Sequence, residues 1–244
     1  MKKFVLSAMV VLLTGSWQFA SAGDVTGKVT LKGTPPPEKT IAFDDTCSSL
    51  HPTVTTTRHY VVGKDNGLAN VFVYVSKGLE WKKFTPPSTV VEIDQDGCMF
   101  NPYVAGVMVG QVVKFKNSDP LMHNIHALPM ADGNQEFNFA QPSQGDFNDT
   151  KWTASITKPE VMVKIKCEVH NWMFCYVGVQ DHPYFAVTDK DGQFKIPNLP
   201  AGDYTLTAYH LKATAKPGVS KQITVGPGPV TADFTIEVPA PKTN

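Results

Sequence analysis

The sequence predicts an all-β protein built from sandwich-like units. Short segments rich in β-branched and aromatic residues recur along the chain, and Gly, Pro, Asn and Asp separate them. No stretch has the helical period of apolar residues, and regular short strands with turn residues between them are typical of a β-sandwich or β-barrel. The clearest strand candidates are VTGKVTLKG, NVFVYVS, TVVEID, QVVKFKN, VMVKIKC, DYTLTAYH and ADFTIEV.

The N-terminus has the features of a secretory signal peptide. Lys2 and Lys3 precede an apolar run over residues 4–13, and the small residues Ala-Ser-Ala follow at 20–22. The apolar run is too short to span a bilayer. We therefore expect residues 1–22 to be removed and the mature protein to be periplasmic or secreted, without an integral membrane span.

Composition and motifs narrow the classes of function. Lys+Arg and Asp+Glu are both 22, so the net charge is zero and nucleic acid is not an expected partner. The sequence contains neither G-x-S-x-G nor H-E-x-x-H, and no carboxylate pair stands in a catalytic context. We expect a protein that is not an enzyme.

The C-terminal part, residues 182–244, predicts a small sandwich of its own. It contains FAVTDKDGQFKIPNLPAGDYTLTAYH, in which DKDG and NLPAGDY form turns between alternating strands. This pattern resembles the transthyretin-like, carboxypeptidase regulatory-like domain, which implies a seven-strand sandwich.

The segment VTGKVTLKGTPPP, in residues 23–57, looks like the first strand of that same family. Both ends of the chain would then meet in one sandwich, with residues 58–181 inserted between them, since the termini of a domain often lie close together. Two domains in tandem are the alternative.

The stretch KCEVHNWMF places a cysteine, a histidine and a methionine in the spacing C-x-x-H-x-x-M. In the strand before it, Met162 and the lysines are expected on the outer face. The alternation puts the other set on the buried face: Val161, Val163, Ile165 and Cys167. A single turn of the chain would bring His170 and Met173 back toward the Cys167 thiolate.

A second stretch, VGQVVKFKNSDPLMHNIHA, supplies another histidine. Val113 and Phe115 are expected to face inward, and a turn through Asp119 and Pro120 leads to His123. We expect His123 and Cys167 at the same end of a sandwich.

Two imidazoles, one thiolate and a weak thioether are the ligand set of a blue copper site. Soft sulfur favours Cu(I), and imidazole accepts both oxidation states. Zinc would bind the same atoms, but structural zinc sites do not require a methionine. The sequence therefore predicts one mononuclear type 1 copper held by His123, Cys167, His170 and Met173.

Together, NSDPLMHN and CEVHNWM resemble the cupredoxin family, and the loop length is similar to that of amicyanin. The resemblance implies a Greek-key sandwich in which His123, Cys167 and His170 bind copper in a plane and Met173 is axial. It also implies a hydrogen bond from the backbone N–H of Asn124 to the cysteine sulfur.

The same resemblance implies that His170 reaches the surface through an apolar patch. There it would exchange single electrons with a redox partner such as a cytochrome or another periplasmic oxidoreductase. A proline commonly flanks the loop histidine in amicyanin-like proteins, whereas this chain has Val169 and Asn171. The resemblance therefore implies nothing about the rigidity of this loop or the reduction potential of the site.

The four cysteines leave two alternatives open. In an exported chain they suggest two disulfides, one of which would include Cys167. If Cys167 is a ligand, we expect Cys47 to pair with Cys98 and Cys175 to be a buried free thiol.

The remaining histidines have simpler expected roles. His126 would point away from His123 and lie at the surface, although a role as a second ligand stays open. We expect His51 and His59 to be solvated, His182 to be a packing or turn residue, and Trp172 to cover the metal loop.

Two other functions compete with electron transfer. One is a copper-binding or copper-delivery module without a redox role. The other is a metal-free adhesion or carbohydrate-binding protein, for which the Cys-His-Met loop has no explanation.

Overall fold

The computed structural model describes residues 22–51, 53–80 and 82–240. Almost all regular structure in these residues is β-strand, which confirms the all-β prediction. The signal peptide expected over residues 1–22 lies outside the described residues except for Ala22. Within the described ranges, no helix has the length and hydropathy needed to cross a bilayer.

Two sheets from both ends of the chain pack on one apolar core, and we call this unit the terminal sandwich. Its first sheet contains β1 (Ala22–Lys32), β13 (Gln193–Pro200), β16 (Val230–Thr231) and β17 (Phe234–Glu237). Its second sheet contains β12 (Phe185–Val187), β2 (Phe72–Lys77), β14 (Gly202–Tyr209) and β15 (Val219–Val225).

Strand β1 is the centre of the first sheet. It pairs with β13 in antiparallel orientation and with β16 and β17 in parallel orientation. Its burial alternates along its length, and Val25 and Val29 are fully buried because they face the core. The first described strand is therefore hydrogen-bonded to strands that lie 165 to 205 residues later in the chain.

Strand β2 belongs to this unit as well. It lies between β12 and β14, and Val73 and Val75 are part of the core of the terminal sandwich. We predicted from the sequence that residues 58–181 form one unit. Strand β2 lies in this range, but it is hydrogen-bonded to β12 and β14 of the C-terminal part.

The strands between β2 and β12 form a second unit, which we call the central sandwich. One sheet contains β4 (Phe100–Asn101), β3 (Val91–Gln95), β6 (Val113–Asn117) and β9 (Phe147–Asn148). The other contains β5 (Val104–Met108), β11 (Phe174–Gln180), β10 (Glu160–Lys166), β7 (His123–Leu128) and β8 (Phe137–Gln141). Short helices lie at α1 (Asp45–Ser48) and α2 (Lys151–Ser155), with a 3₁₀ turn at Lys64–Asn66.

The inner faces of the central sandwich carry the apolar residues that the alternation predicts. Val113 and Phe115 are fully buried, as are Val163 and Ile165. The pattern breaks at Met162, which is buried although the alternation placed it on the outer face. Its backbone has a positive φ of 66°, and the pairing of β10 with β11 shifts register there, so one residue is inserted as a β-bulge.

Aromatic residues fill the contact between the two sandwiches. Phe72 of β2 is fully buried against β11, where a Cβ placed on Gly178 would lie 2.6 Å from its ring. The absence of a side chain at Gly178 is what allows this close approach. The buried residues of this contact are Phe72, Tyr74, Tyr103, Val104, Met162 and Tyr209.

Candidate metal centre

Strand ends bring the predicted ligands together at one edge of the central sandwich. His123 is the first residue of β7, and Cys167 directly follows the last residue of β10. These strands are antiparallel neighbours with Lys166 opposite His126, so the start of one lies beside the end of the other. Both His123 and Cys167 are buried.

The chain after Cys167 forms a hydrogen-bonded turn that brings His170 back beside His123 and Cys167. The backbone N–H of Cys167 donates to the carbonyl of Met173 at 3.1 Å, and that of Met173 donates to the carbonyl of His170 at 2.9 Å. Both Met173 and Cys167 belong to the apolar core of the central sandwich, and Met173 is fully buried immediately before β11.

Three potential ligand atoms converge in the resulting space. His123 Nδ1 lies 2.9 Å from His170 Nδ1. The Cys167 Sγ lies 4.0 Å from the first nitrogen and 3.8 Å from the second. A point equidistant from all three atoms is about 2.1 Å from each, which is the circumradius of a triangle with these sides and close to metal–ligand bonds of about 2.0–2.3 Å.

The outer nitrogen of each imidazole faces a carboxylate. His123 Nε2 lies 2.8 Å from Asp119 Oδ2, and His170 Nε2 lies 3.5 Å from Asp44 Oδ2. Asp119 accepts a hydrogen bond from the Nε2–H of His123, which leaves the Nδ1 lone pair of His123 directed toward the other ring and the thiolate, while Asp44 is a charged neighbour of His170 Nε2. Two facing Nδ1 lone pairs repel each other unless a cation or a proton lies between them, so this arrangement is compatible with a bound metal ion.

Hydrogen bonding also favours the thiolate. Burial alone would raise the pKa of the Cys167 thiol, but the His123 side chain and the backbone N–H groups of Asn124, His170 and Val169 stabilise the anion and lower that pKa. The contribution of the Asn124 N–H agrees with the hydrogen bond that the resemblance implied. Asn124 further fixes the site because its Oδ1 accepts the N–H of Glu168 at 2.5 Å.

The two imidazoles differ in their protonation. Burial works to lower the pKa of His123, but hydrogen bonds to Asp119 and to the Cys167 thiolate outweigh it and raise that pKa. Burial and the nearby charge of His123 lower the pKa of His170. The pair therefore holds a proton on His123 before it holds one on His170.

All four cysteines lie in the described part of the chain, and the alternative with two disulfides is wrong. Cys47 and Cys98 form a disulfide, as expected, whereas Cys167 and Cys175 are free and buried. Burial raises the pKa of Cys175 far above that of an exposed thiol, so it is an inert part of the core.

His170 does not reach the surface, contrary to the expectation. Its side chain is covered by the segment around α1, and only 3% of the residue is exposed. Met122 and Val169, which directly precede the two histidines in the sequence, are exposed by 48% and 47%.

The other histidines lie outside the ligand cluster. His126 is half-buried, and its two ring nitrogens face Glu136 and Glu168. His51 is not solvated as expected, because its ring stacks on Phe43 and its Nε2 faces the carbonyl of Gly97. His182 is buried with its Nε2 2.8 Å from the carbonyl of Val75, in keeping with a packing role.

The carboxylates of Asp44 and Asp119 are functional residues that the sequence reasoning missed. Asp119 was assigned only to a turn, although it stands four residues before His123, in the connection that leads into β7. That spacing could have indicated it. Nothing in the sequence links Asp44 to His170, because 126 residues separate them and the disulfide brings them together.

Comparison with known proteins gives partial matches. A family model described as polysaccharide lyase family 4, domain II, matches residues 136–232. No curated protein matches the chain.

The chain is similar to parts of several solved structures. A Cu-containing nitrite reductase (NirK) from Thermus scotoductus SA-01 is 23% identical over 43% of this chain and 25% of that chain, with a TM-score of 0.33. A purple cupredoxin from Nitrosopumilus maritimus is 23% identical over 37% of this chain and 99% of that chain, with a TM-score of 0.30. A mutant of amicyanin in the Cu(I) state is 16% identical over 44% and 98% of the two chains, with a TM-score of 0.31. TM-scores this low carry no argument about function, so the function has to be inferred from the geometry of the site.

Proposed function

We propose that this protein binds one mononuclear type 1 copper ion and transfers single electrons. The observation that carries the proposal is the convergence of His123 Nδ1, Cys167 Sγ and His170 Nδ1, which lie within 4.8 Å of one another in a buried space. Met173, buried on the same turn, would be the weak fourth ligand.

The chemistry of the donors supports copper over zinc. Structural zinc sites are tetrahedral sets of Cys and His, and a thioether adds little to them. Two imidazoles, a thiolate and a methionine suit both oxidation states of copper. When bound, copper would supply a one-electron couple between Cu(II) and Cu(I).

The residues of the chain have separate tasks in this proposal. His123, Cys167 and His170 hold the ion, while Asp119 orients the His123 ring through its Nε2. Asn124 fixes the loop against β7, and the surrounding core excludes water. A site fixed in this way changes little between oxidation states, which favours electron transfer over copper delivery.

We further propose that the protein is exported and that it serves a partner, such as a cytochrome or another periplasmic oxidoreductase. It would carry out no enzymatic turnover of its own. Two copper-dependent experiments test the central proposal.

The first experiment adds Cu(II) to the purified protein and records the visible absorption spectrum. The expected result is an intense blue band from charge transfer between the Cys167 thiolate and Cu(II), with a stoichiometry of one ion per chain. Cys167→Ser should abolish the band, and Cys175→Ala should retain it as a matched control, because Cys175 is also a buried free thiol. A colourless wild-type protein would refute the proposal.

The second experiment separates a shuttle from a carrier. Voltammetry of the copper-loaded protein should give a reversible one-electron wave, and a competing Cu(I) chelator should remove the metal slowly. Rapid loss of copper to the chelator without a reversible wave would favour delivery.

A further inference from the structure

A short segment covers the metal end of the central sandwich, and we call residues 43–51 the cap. Phe43 packs edge-on against Trp172 with ring centroids 5.4 Å apart, and it stacks on His51 at 4.2 Å. His51 reaches the carbonyl of Gly97, and Trp172 Nε1 donates to the carbonyl of Cys98 at 3.1 Å. The cap is therefore joined to the metal loop by aromatic contacts and to Gly97 by a polar one, while Trp172 joins the metal loop to Cys98.

Asp44 is the part of the cap that touches a predicted ligand. Its Oδ1 accepts the N–H of Cys47 at 2.8 Å, as the N-cap of α1, and this bond fixes the orientation of the carboxylate. Its Oδ2 is the atom that lies 3.5 Å from His170 Nε2.

The Cys47–Cys98 disulfide lies close to both imidazoles. The Cys47 sulfur is within 4.8 Å of ligand atoms of Asp44 and His170, and the Cys98 sulfur is within the same distance of those of Asp119 and His123. Both cysteines are fully buried and are already bonded to each other, so they offer no thiolate to a metal.

The backbone of the two cysteines also holds the two carboxylates. The N–H of Cys47 donates to Asp44, and the N–H of Cys98 donates to Asp119 Oδ2 at 2.7 Å. The disulfide therefore links the two cysteines whose N–H groups hold the carboxylates beside His170 and His123.

We propose that the cap is a disulfide-anchored cover of the metal centre, in which Asp44 is the positioning residue of His170. This inference rests on the proposed function. It implies that the imidazole edge of His170 is not the contact point for a redox partner, because the cap lies over it. It also implies that copper leaves and enters only when the cap moves.

The first test is Asp44→Asn, with Asp45→Asn as the control. Asparagine is as good an N-cap as aspartate, so α1 is kept while the acceptor for His170 is lost. Asp45 carries the same charge one residue away, and it is exposed. In Cu(I)-loaded protein, NMR would measure hydrogen exchange at His170 Nε2, and a chelator would measure the rate of copper release.

We expect Asp44→Asn to accelerate both rates by about tenfold or more, and Asp45→Asn to leave both within about twofold of wild type. The His123 Nε2 proton, which is bound by Asp119, should be unaffected by either change and serves as an internal reference. Equal rates for the two variants would overturn the role of Asp44.

The second test needs no copper. Diethyl pyrocarbonate modifies accessible imidazoles, and mass spectrometry of the metal-free protein would locate the modified histidines. His170 should react slowly in the wild type and at least about tenfold faster in the Cys47→Ala/Cys98→Ala variant or in Asp44→Ser, which retains the helix cap with a shorter side chain. Rapid modification of His170 in the wild type would overturn the cover, even if the protein binds copper as proposed. A slow reaction in a protein that never turns blue would retain the cover and reject the copper function.

Discussion

Asp119 is a buried carboxylate whose position beside His123 is fully determined by hydrogen bonds. Its two oxygens accept the N–H groups of Gly97 and Cys98, both at 2.7 Å, in addition to the His123 ring. Burial would raise the pKa of Asp119, but these three donors outweigh it and lower the pKa, so the carboxylate stays ionised. A charged acceptor fixed in this way holds the proton of His123 on Nε2 and keeps Nδ1 available for a metal.

Asp119→Asn should therefore weaken copper binding without removing a ligand. Loss of an outer hydrogen-bond partner of a metal-bound histidine lowers metal affinity by about 10- to 100-fold. Competition titration with a chelator of known affinity measures the change. The exposed Asp132→Asn is the matched control and should bind copper like the wild type, while equal affinity of Asp119→Asn would contradict the role of this carboxylate.

The sequence predicts the candidate metal ligands better than the carboxylates that lie beside them. His123, Cys167 and His170 could be found because strand alternation and loop spacing define where each side chain points. The carboxylate of Asp44 could not, since it meets His170 only after a disulfide has joined two distant segments.

The contact between the two sandwiches depends on two glycines, Gly178 and Gly106. Phe72 of β2 lies against Gly178 of β11, and a Cβ placed on Gly106 of β5 would be 2.7 Å from the ring of Phe185. Interiors are close-packed, so even one methyl group here must displace an aromatic ring or the backbone.

Gly178→Ala should destabilise the protein by about 1–3 kcal/mol, the usual cost of overpacking a tight contact. The free energy of unfolding from a urea titration measures it. Gly226→Ala is the control, because a Cβ at Gly226 meets no atom within 4 Å, and it should change stability far less. Because Gly→Ala by itself reduces the entropy of the unfolded chain and stabilises a protein, an equal loss of stability in both variants would contradict the role of the Phe72 contact.

The alternation predicted for β10 holds in one part of the strand and fails in another. Alternation placed Val163, Ile165 and Cys167 correctly because β10 is regular beyond residue 163. It was wrong for Met162, since a bulge inserts one residue and reverses the faces on its N-terminal side. Bulges have no reliable signal in residue type, so this exception follows only from the observed pairing.

On the scale of the whole molecule, the two ends of the described chain share one core. Val29 of β1 is fully buried among residues of β13, β14 and β17, whereas the core of the central sandwich consists of other residues. The resemblance of VTGKVTLKGTPPP to the first strand of the transthyretin-like family predicted that β1 would join the C-terminal strands, with two tandem domains as the alternative. The position of β2 was not predicted, because NVFVYVS reads as a strand of either sandwich.

Val29→Ala should loosen the terminal sandwich as a unit. Removal of two buried methyl groups costs about 2 kcal/mol, and we expect the loss of protection to appear in both 22–32 and 193–209, although these ranges are far apart in the chain. Hydrogen exchange followed by mass spectrometry measures each range separately.

Val90→Ala is the control for this experiment, because Val90 is 53% exposed and its change should leave exchange nearly unaffected. Strand β6, in the core of the central sandwich, should keep more of its protection than β1 in the Val29 variant. Loss confined to 22–32 would contradict the shared core.

The pairing of β1 with β13 also determines the order in which the molecule can assemble. As the chain is synthesised from its N-terminus, β1 and β2 emerge first, but β13 and β14, with which they pair, follow only after all strands of the central sandwich. The central sandwich can therefore fold around its own core while the backbone N–H and C=O groups of β1 and β2 are still unpaired. Because closing the terminal sandwich requires contacts of very long sequence separation, we expect it to be the slow step of folding and the stage most exposed to aggregation.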